Sequence, residues 1–183
     1  MGRRCTSLCL KASLYLGRMG AGSQRCRALA RELGFWHMDI ETYHFEASAI
    51  PYTKARSRDA CIRLMLSDID KHGAFVLSAV TGDFGVEMMS MYRLAVQLNA
   101  PKALRMKRIE QRAHDLHGAR IIAGGDMFAQ HRDFVGFAAA RSLAHIQRWA
   151  AVLACPILQA DGKKDVLENA RLIAAQYRET VKA

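Results

Sequence analysis

The sequence predicts an α/β fold: a mostly parallel, five-stranded sheet with helices on both faces and a small lid. Three observations carry this expectation. Apolar runs of strand length alternate with stretches of helical periodicity along the whole chain. The run from Phe75 to Val80 is almost continuously apolar, as in a parallel strand covered on both faces. A glycine-rich segment, 17-GRMGAGSQR-25, joins the first apolar run to the first helical stretch, where an anion can meet a helix N-terminus.

Taken in order, Leu8 to Leu16 reads as a buried first strand ending at Gly17. Cys26, Leu29, Ala30 and Leu33 then recur at helical spacing, and Gly34 ends that helix. Phe35 to Ile40 reads as a second strand, closed by Asp39 and Glu41, and a loop with Pro51 follows. Residues 54 to 72 form an amphipathic helix with Ile62, Leu66 and Ile69 on one side. After Phe75 to Val80, a further strand spans Leu94 to Leu98, and Pro101 opens the next helix, which runs to about His117. Gly118 to Asp126 is a loop, residues 127 to 152 are one long helix or two shorter ones, Pro156 to Gln159 is the last strand and 164 to 182 the last helix. No linker or internal repeat interrupts the pattern, so residues 1–183 read as one domain, with a lid at approximately 112–127.

The bulk composition narrows the partners. The 183 residues are 51% hydrophobic and 24% charged, which fits a folded core and excludes a disordered chain. Lys plus Arg is 27 against 17 for Asp plus Glu, a net charge of +10 that favours an anionic partner. The cysteines at 5, 9, 26, 61 and 155 form no metal-binding spacing, and their scatter fits reduced thiols in a cytoplasmic protein. Lys11 interrupts the early apolar stretch, and no apolar run is long enough to span a bilayer, so no membrane partner is expected.

The glycine-rich segment has the context of a phosphate-binding loop. Gly17 and Gly22 have the spacing of that motif, Gly20 and Ala21 lie between them, and a strand precedes and a helix follows. Two positions depart from it. Ser23 stands where the motif has a lysine for the β/γ-phosphates, and Gln24 where it has a hydroxyl for Mg²⁺. A charge-assisted hydrogen bond is worth about 1.5–3 kcal/mol, so losing the lysine would weaken ATP binding by about tenfold to a few hundredfold. Arg18 and Arg25 are nearby cations, and Arg18, early in the loop, is placed to compensate in part.

Taken together, 27-RALARELGFWHMDIETYHF-45, 105-RMKRIEQR-112, 118-GARIIAGGDM-127 and 155-CPILQADG-162 resemble a bacterial family of small P-loop ATPases. These are the adenylate-kinase-like or AAA-family ATPases, near the nucleoside monophosphate and shikimate kinases. The resemblance covers nearly the whole chain and implies a three-layer P-loop NTPase fold. It also implies ATP with Mg²⁺ as cofactor, bound through Gly17, Arg18, Gly20, Ala21, Gly22, Ser23, Gln24 and Arg25. In similar kinases the acidic turn, here Asp39 and Glu41, touches the phosphoryl acceptor, or the metal through water. Alternate residues of an extended segment point the same way, so both carboxylates would face one cleft; a helix or turn cap is the competing reading. Arg105, Arg108 and Arg112 share one helix face, with Arg120 following in the lid. In resembling kinases such arginines close over the transferring phosphoryl group. The competing reading is a solvated basic face paired with Glu110 and Asp115. His114 and His117 lie one helical turn apart and read as a solvated pair.

Function stays open among three readings. The first is a kinase-like protein that binds a nucleotide or phosphorylated small molecule and transfers a phosphoryl group. The second is a pseudoenzyme that keeps the fold and senses a ligand or partner, favoured by Ser23. The third is a nucleic-acid-binding protein, supported by the net charge but lacking a recognition helix or an aromatic-basic motif. Acceptor and oligomeric state are not readable from the residues.

Overall fold

The computed structural model describes residues 9–13, 22–80, 82–140 and 144–182. Of the glycine loop, Gly17, Arg18, Gly20 and Ala21 lie outside the described residues. Strand β1 (Cys9–Ser13) leads into this stretch, and helix α1 (Gly22–Leu33) leads out of it.

The later elements follow the alternation of the sequence. They are β2 (Trp36–Asp39), α2 (Ile40–His44), α3 (Arg58–His72), β3 (Phe75–Ala79), α4 (Val86–Ser90) and β4 (Tyr92–Asn99). Next come α5 (Lys102–His117), a 3-10 turn at Gly118–Ile121, α6 (Phe128–Ala140), α7 (Ala144–Ala150), β5 (Ile157–Asp161) and α8 (Val166–Lys182). Ser57 starts α3 by accepting from the Ala60 N–H, and Gly73, at φ 77°, ends it. Two short helices, α2 and α4, appear where the periodicity showed none, because five residues make little more than one turn.

The strands pair in the order β2-β3-β1-β4-β5, all parallel. β1 therefore lies centrally, and the order reverses beside it. In such sheets that reversal opens a crevice at the carboxyl ends of the strands.

Each face has its own core. On one, Cys26, Leu29 and Ala30 of α1 and Ile173, Ala174 and Tyr177 of α8 cover Val76, Leu94, Val96 and Leu98. On the other, Cys61, Met65 and Ile69 of α3 cover Met38, Phe75 and Leu77. All five residues of β3 are buried, so its side chains alternate between two covered faces. Burying a side chain such as Phe75 or Leu77 contributes about 1.5–3 kcal/mol each. A third, smaller cluster of Ala113, Ile121 and Met127, packed against Ile50, holds the lid to the loop after α2.

A cavity between the acidic turn and the lid

Asp39 ends β2 and is the N-cap of α2, its Oδ1 accepting from the Glu41 N–H at 3.3 Å. This corrects the expectation of an extended segment: Glu41 lies in a helical turn, so strand alternation does not set its direction. Asp39 acts electrostatically on two sides. Its charge helps to raise Cys26 on α1 above its ordinary pKa, after burial, and adds to burial and Glu41 in raising Tyr52 of the following loop.

The loop between α2 and α3 is pinned at both ends. Phe45 bridges Ala55, the Glu46 N–H donates to the Lys54 carbonyl at 2.9 Å, and Arg56 donates to the carbonyls of Thr42, Tyr43 and Phe45. At its tip Pro51 is followed by Tyr52 at φ 65°, a left-handed conformation that costs a residue with a Cβ about 1–3 kcal/mol. That strain is sustained by the ties from the lid. Arg120 Nη2 donates to the Ala49 carbonyl at 3.1 Å, Gln130 Nε2 to the Pro51 carbonyl at 3.1 Å, and Ile50 packs on Ile121 and Met127.

Between this loop, the acidic turn and the lid lies a cavity of about 250 Å³. Glu41 and Tyr52 form one wall, and His117 and Ile121 the lid side. Met127, Gln130, His131, Asp133, Phe134 and Phe137 project from the start and body of α6. Tyr52 and Glu41 line the same wall. The Tyr52 phenol is pushed above its ordinary value first by burial, then by the Glu41 charge, with Arg112 acting in the opposite direction. The His117 imidazole is held below its ordinary value by burial, then by the nearby charges of Arg120 and His131. Three polar atoms here, His117 Nε2, Gln130 Oε1 and His131 Nδ1, are buried and have no hydrogen-bond partner among the described residues.

The sequence-predicted arginines fall in different places. Arg112 acts on Tyr52 at the cavity wall. Arg108 Nη1 donates to the Gly162 carbonyl at 2.7 Å, in the turn between β5 and α8. Arg25 differs from the expectation of a cation in the phosphate loop. It is only 3% exposed, and its Nη2 donates to the carbonyls of Gly162 at 3.3 Å and Lys164 at 2.9 Å. The reason is helix periodicity: Arg25 precedes Cys26 on the inner side of α1, which packs on α8. Arg120 grips Asp126, Nε to Oδ1 at 2.9 Å and Nη2 to Oδ2 at 2.8 Å. Asp126 is thus an ion-pair partner, and the N-cap position of α6 belongs to Met127. Gln24 is exposed, and Gly22 and Ser23 open α1.

A second, more open hollow of about 500 Å³ lies at the carboxyl ends of β4 and β5, beside Asn99, Arg105, Asp161 and Lys163. Among the described residues, no group of three or more His, Cys, Asp or Glu could hold a metal ion. No described helix is long and apolar enough to cross a membrane.

Sequence reasoning missed Tyr52, Gln130, His131, Asp133, Phe134 and Phe137, and read His117 as solvated. Gln130, Phe134 and Phe137 recur at i, i+4 and i+7, so a shared face of α6 was available as a signal. That this face lines a cavity was not.

No family model matches the chain. It is 27% identical over 163 residues to YqaC, an uncharacterised protein of Bacillus subtilis (strain 168), covering 84% of this chain and 90% of that protein. Among solved structures it is similar to the shikimate kinase of Acinetobacter baumannii in complex with shikimate. That match has TM-score 0.53 and 16% identity over 95% of this chain and 94% of the other. The shikimate kinase of Bacteroides thetaiotaomicron matches with TM-score 0.52 and 18% identity, over 95% and 99%. At such identities the likeness is one of fold: this chain has the kinase-like α/β fold of the P-loop kinases.

Proposed function

We propose that this protein is a small-molecule kinase: it binds a nucleotide at the N-terminus of α1 and passes a phosphoryl group to an acceptor held in the cavity between Glu41 and α6. The observation that carries the reading is the position of Asp39. Asp39 ends β2 at the carboxyl end of the parallel sheet and caps the short helix whose Glu41 lines the cavity, which supports a carboxylate between the strand ends and the acceptor.

The phosphate end of a nucleotide fits what the chain offers. α1 has no acidic residue in its first turn, and a helix N-terminus favours an anion. Gly22 and Ser23 would present backbone N–H groups, and Gly17, Arg18, Gly20 and Ala21 would complete the loop. Bound ATP would supply the phosphoryl group. Arg112, already beside Tyr52, would stabilise charge on that group, with Arg108 and Arg120 as further lid cations. Asp39 and Glu41 would orient the acceptor. The hollow beside Asp161 suits the base of the nucleotide. Mg²⁺ fits less well, because Gln24 offers a neutral carbonyl where a hydroxyl is usual. Arg25 is committed to backbone carbonyls, so it does not replace the missing lysine.

A second reading keeps the fold without turnover, and Ser23 in the lysine position is what favours it. Calorimetric titration with ATP, with and without Mg²⁺, separates the two. Micromolar binding that Mg²⁺ tightens supports the kinase. Absence of binding up to millimolar ATP removes it and leaves the ligand-sensing reading.

A further inference from the structure

The three buried polar atoms of the cavity lining that have no partner among the described residues differ in what they can do. The Gln130 amide is oriented by its Nε2, which donates to the Pro51 carbonyl at 3.1 Å, so Oε1 is left as an acceptor. His117 Nε2 and His131 Nδ1 are more adaptable, because a neutral imidazole has one N–H and one lone pair and either nitrogen can carry the proton. A buried polar group left unsatisfied is costly, and a ligand that completes its hydrogen bond recovers that cost. Around these atoms, Phe134 and Phe137 of α6, Tyr52 of the preceding loop, and Ile121 and Met127 of the lid make an aromatic and apolar lining.

The charge around the cavity has two signs. At the Tyr52 wall, burial and then the Glu41 charge raise the phenol above its ordinary value, and Arg112 works against them. At the lid wall, burial and then Arg120 and His131 hold the His117 imidazole below its ordinary value. A cation would meet Arg120 at one wall and find Arg112 offsetting Glu41 at the other. An anion would meet Glu41 and Asp133, and no Lys or Arg stands among the described lining residues to receive it. An uncharged ligand that both donates and accepts meets neither obstacle, and it avoids the cost of burying a charge.

We infer that this cavity takes an uncharged aromatic amide, its N–H donated to Gln130 Oε1, its carbonyl accepting from a lid imidazole, and its ring against Tyr52 and Phe134. An amide holds donor and acceptor in one plane, which suits one acceptor and two adaptable imidazoles. Aromatic side chains pack against a ring through stacked or edge-to-face contacts. The inference rests on the reading of the cavity as the acceptor site, and it names the group by which the acceptor is recognised.

The test is a titration of the ¹⁵N-labelled full chain, followed by amide chemical shifts, with four ligands that share one ring: benzamide, benzoate, benzylamine and anisole. Benzamide is expected to bind at least tenfold more tightly than the other three, with its shifts centred on residues 117 to 137. Gln130→Met should erase the margin of benzamide over anisole, and Phe134→Ala should weaken both alike, with circular dichroism reporting the fold of each variant. Equal or tighter binding of benzoate or benzylamine overturns the inference, as does binding of none of the four. A benzamide margin unchanged in folded Gln130→Met overturns it too; if that variant does not fold, the order of the four ligands on the unaltered protein decides. A parallel ATP titration keeps the two proposals apart. Benzamide preference in a protein that ignores ATP retains the amide site and removes the kinase; ATP binding without benzamide preference does the reverse.

Discussion

Arg25 of α1 and Arg108 of α5 donate to the same carbonyl oxygen, that of Gly162, at 3.3 and 2.7 Å. Two like charges therefore meet at one turn. Burial, then the Arg108 charge, pulls the Arg25 guanidinium below its ordinary value, with Asp165 partly offsetting this. The arrangement joins the helix after the glycine loop, the helix leading to the lid and the β5–α8 turn.

Removing Arg25 should therefore be felt as lost stability. Hydrogen bonds from a charged donor contribute about 1.5–3 kcal/mol, so Arg25→Ala is expected to lower unfolding free energy by an amount in that range. Arg25→Lys should recover little of it, because an ammonium does not reproduce the planar fork that spans two carbonyls. Urea denaturation midpoints measure both; a fully stable lysine variant would show that charge alone is needed.

Gly162 is placed where a side chain has no room. A Cβ there would stand 2.8 Å from the Asn99 carbonyl oxygen and 3.0 Å from the Ala100 Cβ. Its own N–H donates to that Asn99 oxygen at 2.7 Å. Gly162→Ala should push β4 and the β5–α8 turn apart and displace the oxygen shared by the two arginines, at a cost of about 1–3 kcal/mol. Thermal unfolding with a lowered midpoint is the expected result.

Acid should loosen the lid before it unfolds the domain. The folded-state pKa of His117 is depressed, so the native state binds fewer protons than the unfolded one as pH falls below about 6.5. Its contribution is complete above that value and is lost as pH drops through the lower, folded value. Limited proteolysis within 118–127 should accelerate between pH 7 and pH 5, and His117→Gln should flatten that dependence.

The Arg120–Asp126 pair is exposed, so its worth lies in local order. Asp126→Asn should leave global unfolding nearly unchanged while hydrogen exchange in 118–127 quickens. High salt should produce the same acceleration in the natural protein. Slower exchange in the variant would show that the pair does not hold the lid.

If the α1 N-terminus binds phosphates, Ser23→Lys combined with Gln24→Ser should tighten ATP binding by about tenfold or more, one charge-assisted contact being worth about 1.5–3 kcal/mol. Calorimetry of the double variant reads this directly. An unchanged affinity would separate the site from nucleotide altogether.

The parallel α/β class was legible because its signals are local. Phe75 to Ala79 is apolar except at Ser78 and buried on every residue, as fits a strand covered on both faces, and Cys26, Leu29 and Ala30 keep helical spacing on the face that meets the sheet. The D-x-E turn and the arginine face of α5 were legible as patterns, but their partners were not. Asp39 turned out to be the N-cap of α2, the competing reading, and Arg25 faces inward although it follows the loop directly. Residue type and spacing by themselves determined which segments are strands and helices, and which carry charge. Only the tertiary structure decided that Tyr52, His117 and Gln130, from three separate segments, close on one cavity, and that Arg25 and Arg108 share one oxygen. Periodicity records which face of an element is buried; what lies across from that face is settled by packing between residues far apart in the chain.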